Sequence, residues 1–230
     1  MKISALAGCV LLLAIMGCSH LPGAPKPGVE VPRPDAIMNF ADLYHQNCAG
    51  CHGNYGMNGA AFDLANSTYL NWIDDATLRK IIADGETDVQ MPAFGRSAGG
   101  FLTNAQIDAL IHGMRTEWPA ADEKPQGQTP PPYTTALKGD VARGEQVYQS
   151  ACARCHREST QSITSPTYLS LVNDQTLRTL IIAGRPDIGQ PDWEADIPGH
   201  PLTDQQVTDV VAWLASLRTM TPGQPYAQPH

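Results

Sequence analysis

The chain has few basic residues and no apolar run of membrane-spanning length. Its 15 Lys and Arg are outnumbered by 23 Asp and Glu, which gives a formal net charge of −8 over 230 residues. Because no basic stripe is present to neutralise phosphates, the sequence argues against a nucleic acid partner. The apolar stretch from Ile3 to Met16 is shorter than the roughly 20 residues that a spanning helix needs. With 42% hydrophobic residues, the composition is that of a globular protein of one large or two smaller domains.

Cysteines that could form disulfides are also missing. Of the six cysteines, four stand in two pairs with CxxC spacing, and two lie in or beside the N-terminal apolar stretch. None is left to cross-link the fold, so its core must be stabilised in another way. The six are Cys9, Cys18, Cys48, Cys51, Cys152 and Cys155.

Each cysteine pair is followed at once by a histidine, in the runs Cys48 to His52 and Cys152 to His156. Two thiols three residues apart and an adjacent imidazole are the attachment pattern of a c-type haem, in which both thiols form thioethers and the histidine binds iron. A zinc knuckle would need further metal ligands and a thioredoxin-like dithiol would need a βαβ context, and neither pattern is found. The sequence therefore predicts two covalently bound haem c groups, attached at Cys48 and Cys51 and at Cys152 and Cys155, with His52 and His156 as axial ligands.

The two motifs belong to a longer internal repeat. The motifs are offset by 104 positions, the middle segments by 99 and the last helices by 100, so the loop after His156 is shorter than the loop after His52. The repeat predicts two similar domains, one of them at 35–118 and the other at 139–219. A shift of 99 matches Thr68, Tyr69, Leu70, Asp75, Thr77, Leu78, Arg79, Ile82 and Gly85 to Thr167, Tyr168, Leu169, Asp174, Thr176, Leu177, Arg178, Ile181 and Gly184.

Three helices are predicted in each domain from apolar residues at helical spacing. The last helix of each is the clearest, because Thr103 with Gln106 and Thr203 with Gln206 have the form of a capping box. The inward-facing residues are predicted to be Phe40, Leu43, Tyr44, Leu78, Ile81, Ile82, Ile107, Leu110, Ile111 and Met114 in the first domain, and Val147, Tyr148, Leu177, Leu180, Ile181, Val207, Val210, Val211, Leu214 and Leu217 in the second.

The order helix, CxxCH, helix, Met91-Pro92 and capped helix resembles the class I cytochrome c fold, and the tandem arrangement resembles bacterial dihaem cytochromes c. The resemblance covers Phe40 to Trp118 and Asp140 to Leu217. It implies an all-α fold of two tandem class I cytochrome c domains, each wrapped around a covalent haem. It also implies that Met91, on the loop between the second and third helices, is the second axial ligand of the first haem. Met57 and Met114 are weaker candidates, because one directly follows the motif and the other lies on the core face of a helix.

The second domain departs from this pattern. The shift of 99 places Gln190 at the position of Met91, and no methionine occurs from Arg157 to Thr219. Three outcomes remain open: Gln190 ligates through its amide oxygen, His200 ligates instead, or the sixth position is open or holds water. Any of these lowers the second reduction potential, because a thioether favours ferrous iron more than oxygen or imidazole does. Met220 is a more remote candidate, and His200 has an alternative interpretation as a solvated loop residue.

The N-terminus predicts export. A charged start and a short apolar stretch are typical of a signal peptide, predicted at 1–17. The run from Ile15 to Cys18 resembles a bacterial lipobox, so Cys18 is predicted to carry lipid, although an ordinary signal peptide with a chance cysteine is the alternative. Proline-rich segments at 18–34 and 119–138 are predicted to be a tether and an interdomain linker, and 220–230 a tail. The chain is thus expected on the periplasmic side of a bacterial membrane, held by its N-terminal lipid.

The resemblance implies electron transfer rather than catalysis. A dihaem cytochrome of this kind would pass single electrons between a membrane quinol-oxidising complex or dehydrogenase and a terminal acceptor, either alone or as a subunit of a respiratory or photosynthetic complex. Its partners would be redox proteins, and its acidic surface either steers a basic partner or only maintains solubility. The alternative is a haem enzyme, or a protein that binds gas, peroxide or a sulfur compound at an open second haem. Gln190 motivates that alternative, and the absence of an evident acid/base pair beside it argues against it.

Overall fold

The computed structural model describes residues 28, 31–118, 128–156, 163–194, 197 and 199–223. The predicted signal peptide, Cys18 and most of the predicted tether lie outside these residues, as do parts of the predicted linker and tail. The chain divides into two units, 1–36 and 37–230. The described part of the first contains one 3₁₀ turn, Pro34–Ala36. In the second unit, the N-terminal half up to 118 is called lobe one and the C-terminal half from 139 is called lobe two.

The described part of the second unit is helical, and no strand occurs in it. No helix there is long and apolar enough to cross a membrane. Short turns link the helices, at Thr87–Val89, Arg96–Ala98 and Pro186–Ile188, and a π turn at Tyr148–Cys152 enters the second motif. The helices are α1 Phe40–Asn47, α2 Ala49–His52, α3 Ser67–Trp72, α4 Asp75–Asp84 and α5 Asn104–Thr116 in lobe one, and α6 Val141–Val147, α7 Pro166–Leu169, α8 Asp174–Ala183 and α9 Asp204–Ser216 in lobe two.

The predicted capping boxes are confirmed at α5 and α9. The Thr103 amide donates to Gln106 Oε1 at 3.0 Å, and the Gln106 amide donates back to Thr103 Oγ1 at 3.2 Å. Thr203 and Gln206 form the same two bonds, at 2.9 and 3.2 Å. Each pair satisfies backbone donors that the first turn of a helix leaves unpaired, so both C-terminal helices begin at a defined residue.

Each lobe has its own apolar cluster, and each cluster forms mainly between the last helix and the other helices of its lobe. Most predicted inward residues are buried, including Leu43, Leu78 and Ile107 in lobe one. Helix α8 differs from the prediction, because Ile182 is fully buried while Leu180 and Ile181 are partly exposed. This helix also buries Arg178. The buried face of α8 is therefore rotated relative to the face that apolar spacing alone predicts.

The described part of the predicted linker contacts both lobes. Trp72 Nε1 donates to the Pro131 carbonyl at 2.8 Å, while Gln175 Nε2 donates to the Tyr133 carbonyl at 2.9 Å. Arg178 NH2 donates to the Pro132 carbonyl at 2.6 Å and binds Asp204 Oδ1 at 2.5 Å. Because proline cannot donate from its backbone nitrogen, the carbonyls of this segment serve as the acceptors that hold it in place.

An arginine after or near the end of each last helix binds the corner between the two preceding helices. Arg115 donates to the carbonyls of Leu70 and Ile73 and pairs with Asp75. Arg218 makes the equivalent contacts with Leu169, Val172 and Asp174, which are the same repeat positions shifted by 99. The last helices match at an offset of 100, so the counterpart of Arg115 would be position 215. Arg218 lies about one helical turn beyond that position and still reaches the same targets.

Candidate haem sites

Both cysteine motifs are presented in the same way. Cys48 and Cys152 are half-buried and pack against the apolar cluster of their own lobe, whereas Cys51 and Cys155 are exposed. Neither pair forms a disulfide in the part of the chain that the structure describes. Burial, and next the charge of Cys51, raise the pKa of the Cys48 thiol to about 12. A CxxC pair that serves as a redox dithiol needs a lowered thiol pKa, so this environment argues against that function.

The His52 ring is oriented by a backbone carbonyl. Its Nδ1 lies 2.7 Å from the carbonyl oxygen of Phe62. Because a carbonyl can only accept, Nδ1 carries the proton and Nε2 keeps the lone pair that a metal requires. Burial lowers the pKa of His52, which favours the neutral, ligating imidazole; the charge of Arg185 acts in the same direction. Burial likewise lowers the pKa of His156 in lobe two.

A tyrosine hydroxyl holds the end of each motif, which the sequence reasoning missed. Tyr44 donates to the Gly53 carbonyl at 2.8 Å, and Tyr148 donates to the His156 carbonyl at 2.6 Å. Apolar spacing predicts both rings only as part of the inward face of a helix. The motif offset of 104 relates the two tyrosines and is the signal that would have found them.

The loop that bears Met91 is closed by two backbone hydrogen bonds. The Glu86 amide donates to the Met91 carbonyl at 2.9 Å, and the Met91 amide donates to the Glu86 carbonyl at 3.0 Å. Gln90 precedes the methionine in a left-handed conformation, with φ of 65°. Met91 itself is half-buried. The weaker candidates lie elsewhere, since Met57 is exposed and Met114 is buried in the core of lobe one.

The corresponding loop of lobe two has the same backbone but a different side chain. The Arg185 and Gln190 amides donate to each other's carbonyls at 3.0 and 2.9 Å. Gln190 Nε2 donates to the Leu180 carbonyl at 2.9 Å, which leaves the amide oxygen as the atom suited to bind iron. His200 is exposed and follows Gly199, whose φ is 75°. Met220 is also exposed.

The loops that carry Met91 and Gln190 take part in the contact between the lobes. Asp187 Oδ2 accepts from the Asn58 amide at 2.9 Å, and Asp88 Oδ2 accepts from Asn173 Nδ2 at 2.8 Å. Asp88 and Asp187 are the same repeat position, so each loop uses the same aspartate to reach the other lobe. Asn66 Nδ2 adds a bond to the Ala183 carbonyl at 2.8 Å.

A group of three charged side chains is buried at this contact. Arg185 pairs with Asp187 at 2.7 Å, and Asp63 of lobe one, only 2% exposed, lies close enough to interact with both charges. The Oδ1 of Asp63 has no hydrogen-bond partner in the described structure. Burial and the neighbouring Asp187 raise the pKa of Asp63 to about 6, while Arg185 opposes this shift.

The residues present fit a covalent haem in each lobe. Each motif offers two thiols, one of them packed on an apolar cluster, together with a histidine whose low pKa favours the ligating form. Family models match both lobes: one described as "Cytochrome C oxidase, cbb3-type, subunit III" covers residues 35–112, and one described as "Cytochrome c" covers 141–218. The chain is a dihaem cytochrome c. Its fold is that of two tandem cytochrome c domains, and its cofactors are two covalently bound haem c groups.

A curated relative supports the same family. The "Cbb3-type cytochrome c oxidase subunit CcoP" of Azospirillum sp. (strain B510) is 30% identical over 155 residues, covering 60% of this chain and 47% of the relative. The cytochrome thus spans about half the length of that relative. Electron transfer by a dihaem cytochrome is the function that these matches support.

Proposed function

We propose that this dihaem cytochrome is a membrane-anchored electron-transfer subunit that passes single electrons from a quinol-oxidising complex or dehydrogenase to a terminal oxidase. The observation that carries the proposal is the packing of the loops that carry Met91 and Gln190 into the contact between the lobes, through Asp88 and Asp187. A path for electrons between the two haems would then run through this contact. The oxidase subunit named among its relatives supports a respiratory oxidase as the acceptor.

The chain's residues have distinct functions in this proposal. Haem iron supplies the one-electron chemistry, and the four motif cysteines hold the two groups. His52 and Met91 would bind the iron in lobe one, and His156 would bind the iron in lobe two. The Phe62 carbonyl orients His52, at 2.7 Å from Nδ1, and the apolar clusters exclude water from both groups. A methionine on the first iron and none on the second would make haem one the better electron acceptor.

Redox titration followed by rapid mixing tests the relay. We expect two one-electron waves, and we expect a small-molecule reductant to fill the high-potential haem first at equilibrium. The purified cytochrome should then be oxidised by a cbb3-type oxidase core that lacks its own cytochrome subunits. If the cytochrome shows both waves but transfers no electrons to the oxidase core, its redox function is supported and the oxidase is rejected as its acceptor.

Membrane anchoring is proposed to depend on Cys18, which lies outside the described residues. Cleavage before this residue would leave a lipid-modified N-terminus, and more than one acyl chain is needed for firm attachment. Cys18→Ala should move the cytochrome from the membrane fraction to the periplasmic fraction, with Cys9→Ala as the matched control. Mass spectrometry of the mature N-terminal peptide would reveal the lipid, and an unmodified peptide would reject the anchor.

A second candidate function is binding of a gas or peroxide at the second haem. Gln190 favours it, because an amide oxygen is a weak iron ligand. Carbon monoxide titration of the reduced cytochrome tests this function. Uptake by one haem of two would support it, and no uptake would exclude an open site.

A further inference from the structure

We propose that Arg185 and Asp187 of lobe two set the reduction potential of the haem in lobe one. The two side chains form a bidentate ion pair, with Arg185 Nε 2.8 Å from Asp187 Oδ1 and NH2 2.7 Å from Oδ2. Their side chains are 10% and 1% exposed, so solvent screens the pair weakly. Both residues belong to the loop that ends at Gln190.

The pair binds the loop that follows the first motif. Asp187 Oδ2 accepts from the Asn58 amide at 2.9 Å, and Arg185 NH2 donates to the Gly59 carbonyl at 3.3 Å. A few residues later, the Ala61 amide donates to the Cys51 carbonyl at 2.9 Å. Lobe two therefore holds the segment that turns back onto the haem attachment site of lobe one.

The same segment ends at the carbonyl that orients the first haem's histidine. Phe62, next in the chain after Ala61, accepts from His52 Nδ1 at 2.7 Å. Arg185 is also near enough for its charge to lower the pKa of His52. The pair can thus act on the axial histidine in two ways, through the position of its hydrogen-bond acceptor and through the electric field at the ring.

The field has a definite sign for each partner. Ferric haem carries one more positive charge than ferrous haem, so a nearby cation disfavours oxidation and raises the potential, while a nearby anion lowers it. In the intact pair the two effects largely cancel. Asp63 lies beside the pair and is an anion above its pKa of about 6, so removal of Arg185 leaves two buried anions, and removal of Asp187 leaves Arg185 with Asp63. Either change alters the net charge of this buried group by one, and a buried charge acts more strongly than one at the surface.

The repeat shows that lobe one cannot make the same arrangement. The counterparts of Arg185 and Asp187 are Glu86 and Asp88, two acids that cannot form an ion pair with each other. Asp88 Oδ2 accepts from Nδ2 of Asn173, the N-cap of α8, at 2.8 Å. The tuning is therefore directed from lobe two to lobe one, a relation that the proposed electron relay does not require.

Redox titration of full-length variants tests the inference, with each haem identified by its electron paramagnetic resonance signal. At a pH well above the Asp63 pKa of about 6, Arg185→Gln should lower the midpoint potential of the first haem and Asp187→Asn should raise it. Arg185→Lys, which keeps the charge, should restore most of the wild-type value. The matched control is Thr68→Val, which removes an uncharged donor to Asp192 Oδ2 at 3.2 Å in the same interface and should leave the potential unchanged.

Opposite shifts from the two partners distinguish a field effect from damage to the interface. If the pair only held the lobes together, both variants would expose the haem and shift its potential in the same direction. Shifts of one sign, shifts confined to the second haem, or no shift would each overturn the inference. Failure of the proposed function is separate, since it would appear as the loss of two one-electron waves in the wild-type titration.

Discussion

His52 Nδ1 lies 2.7 Å from the Phe62 carbonyl oxygen, and the next residue along the chain, Asp63, is a buried carboxylate. The bond to Phe62 orients the imidazole, while Asp63 Oδ1 has no hydrogen-bond partner among the described residues. A buried carboxylate oxygen without a hydrogen bond is costly even with Arg185 nearby. One short segment therefore contains both the contact that orients the imidazole and a group that destabilises the fold. Such a combination is typical of functional sites, where stability is not the only requirement.

Asp63→Asn should stabilise the cytochrome at neutral pH. The folded pKa of about 6 lies above the ordinary 3.8, so the folded state binds more protons than the unfolded state between these values. Stability attributable to Asp63 is therefore highest in acid and falls as pH rises from about 4 to 6, by roughly 2–3 kcal/mol. Denaturant unfolding of wild type and variant across this range should show a gain that appears on raising the pH. An equal gain at all pH values would contradict the assignment to ionisation.

Much of this fold could be predicted from the sequence, because its signals are local. The capping boxes at Thr103 and Thr203 and the CxxCH motifs each depend on residues a few positions apart. The contact between the lobes could not be predicted in this way. It relies on Asn58, Asp187 and similar polar residues, which form no helical or strand pattern and whose partners lie 85 or 129 positions away in the two aspartate contacts.

Arg178→Leu should destabilise the cytochrome far more than Arg79→Leu, although the two arginines are repeat equivalents. Arg178 is buried and binds Asp204 at 2.5 Å as well as the Pro132 carbonyl. Arg79 pairs with Asp108 at the surface, where both side chains are more than a third exposed. Loss of a buried partner costs about 3–5 kcal/mol, against at most about 1 kcal/mol for a surface pair. Denaturant unfolding measures the loss of unfolding free energy in both variants. Similar losses would mean that the contacts of Arg178 with Asp204 and the Pro132 carbonyl contribute little to stability.

Two glycines in the segment that leads from α8 to Gln190 should respond differently to substitution by alanine. Gly189 has φ of 85° and open space where a Cβ would stand, so Gly189→Ala should cost only the strain of a left-handed residue, about 1 kcal/mol. Gly184 has φ of 71°, and its Cβ would lie 2.5 Å from the Pro191 carbonyl oxygen. Gly184→Ala should therefore cost more, roughly 2–4 kcal/mol. Equal losses of unfolding free energy would indicate that the loop shifts to accommodate the methyl group.

The corresponding loop of lobe one, which carries Met91, offers the converse substitution. Gln90 has φ of 65° at the repeat position of Gly189, so a side chain there adopts a conformation that glycine adopts without strain. Gln90→Gly should stabilise the folded loop, an effect partly offset by the greater freedom of glycine in the unfolded chain, for a net change within about 1 kcal/mol. Thermal unfolding measures the change. A loss of stability above that value would show that the Gln90 side chain stabilises the folded loop by more than its backbone strain costs.

Gln190→Met should raise the midpoint potential of the second haem, because a thioether favours ferrous iron more than an amide oxygen does. The substitution also removes the 2.9 Å bond from Gln190 Nε2 to the Leu180 carbonyl, so Gln190→Leu is the matched control. It loses the same bond and offers no ligand.

The reciprocal Met91→Gln should lower the potential of the first haem, since the two residues occupy one repeat position in loops with the same backbone hydrogen bonds. Redox titration with electron paramagnetic resonance of the ferric cytochrome measures all three. Equal shifts for Gln190→Met and Gln190→Leu would place residue 190 away from the iron and leave His200 or an open position as the sixth site.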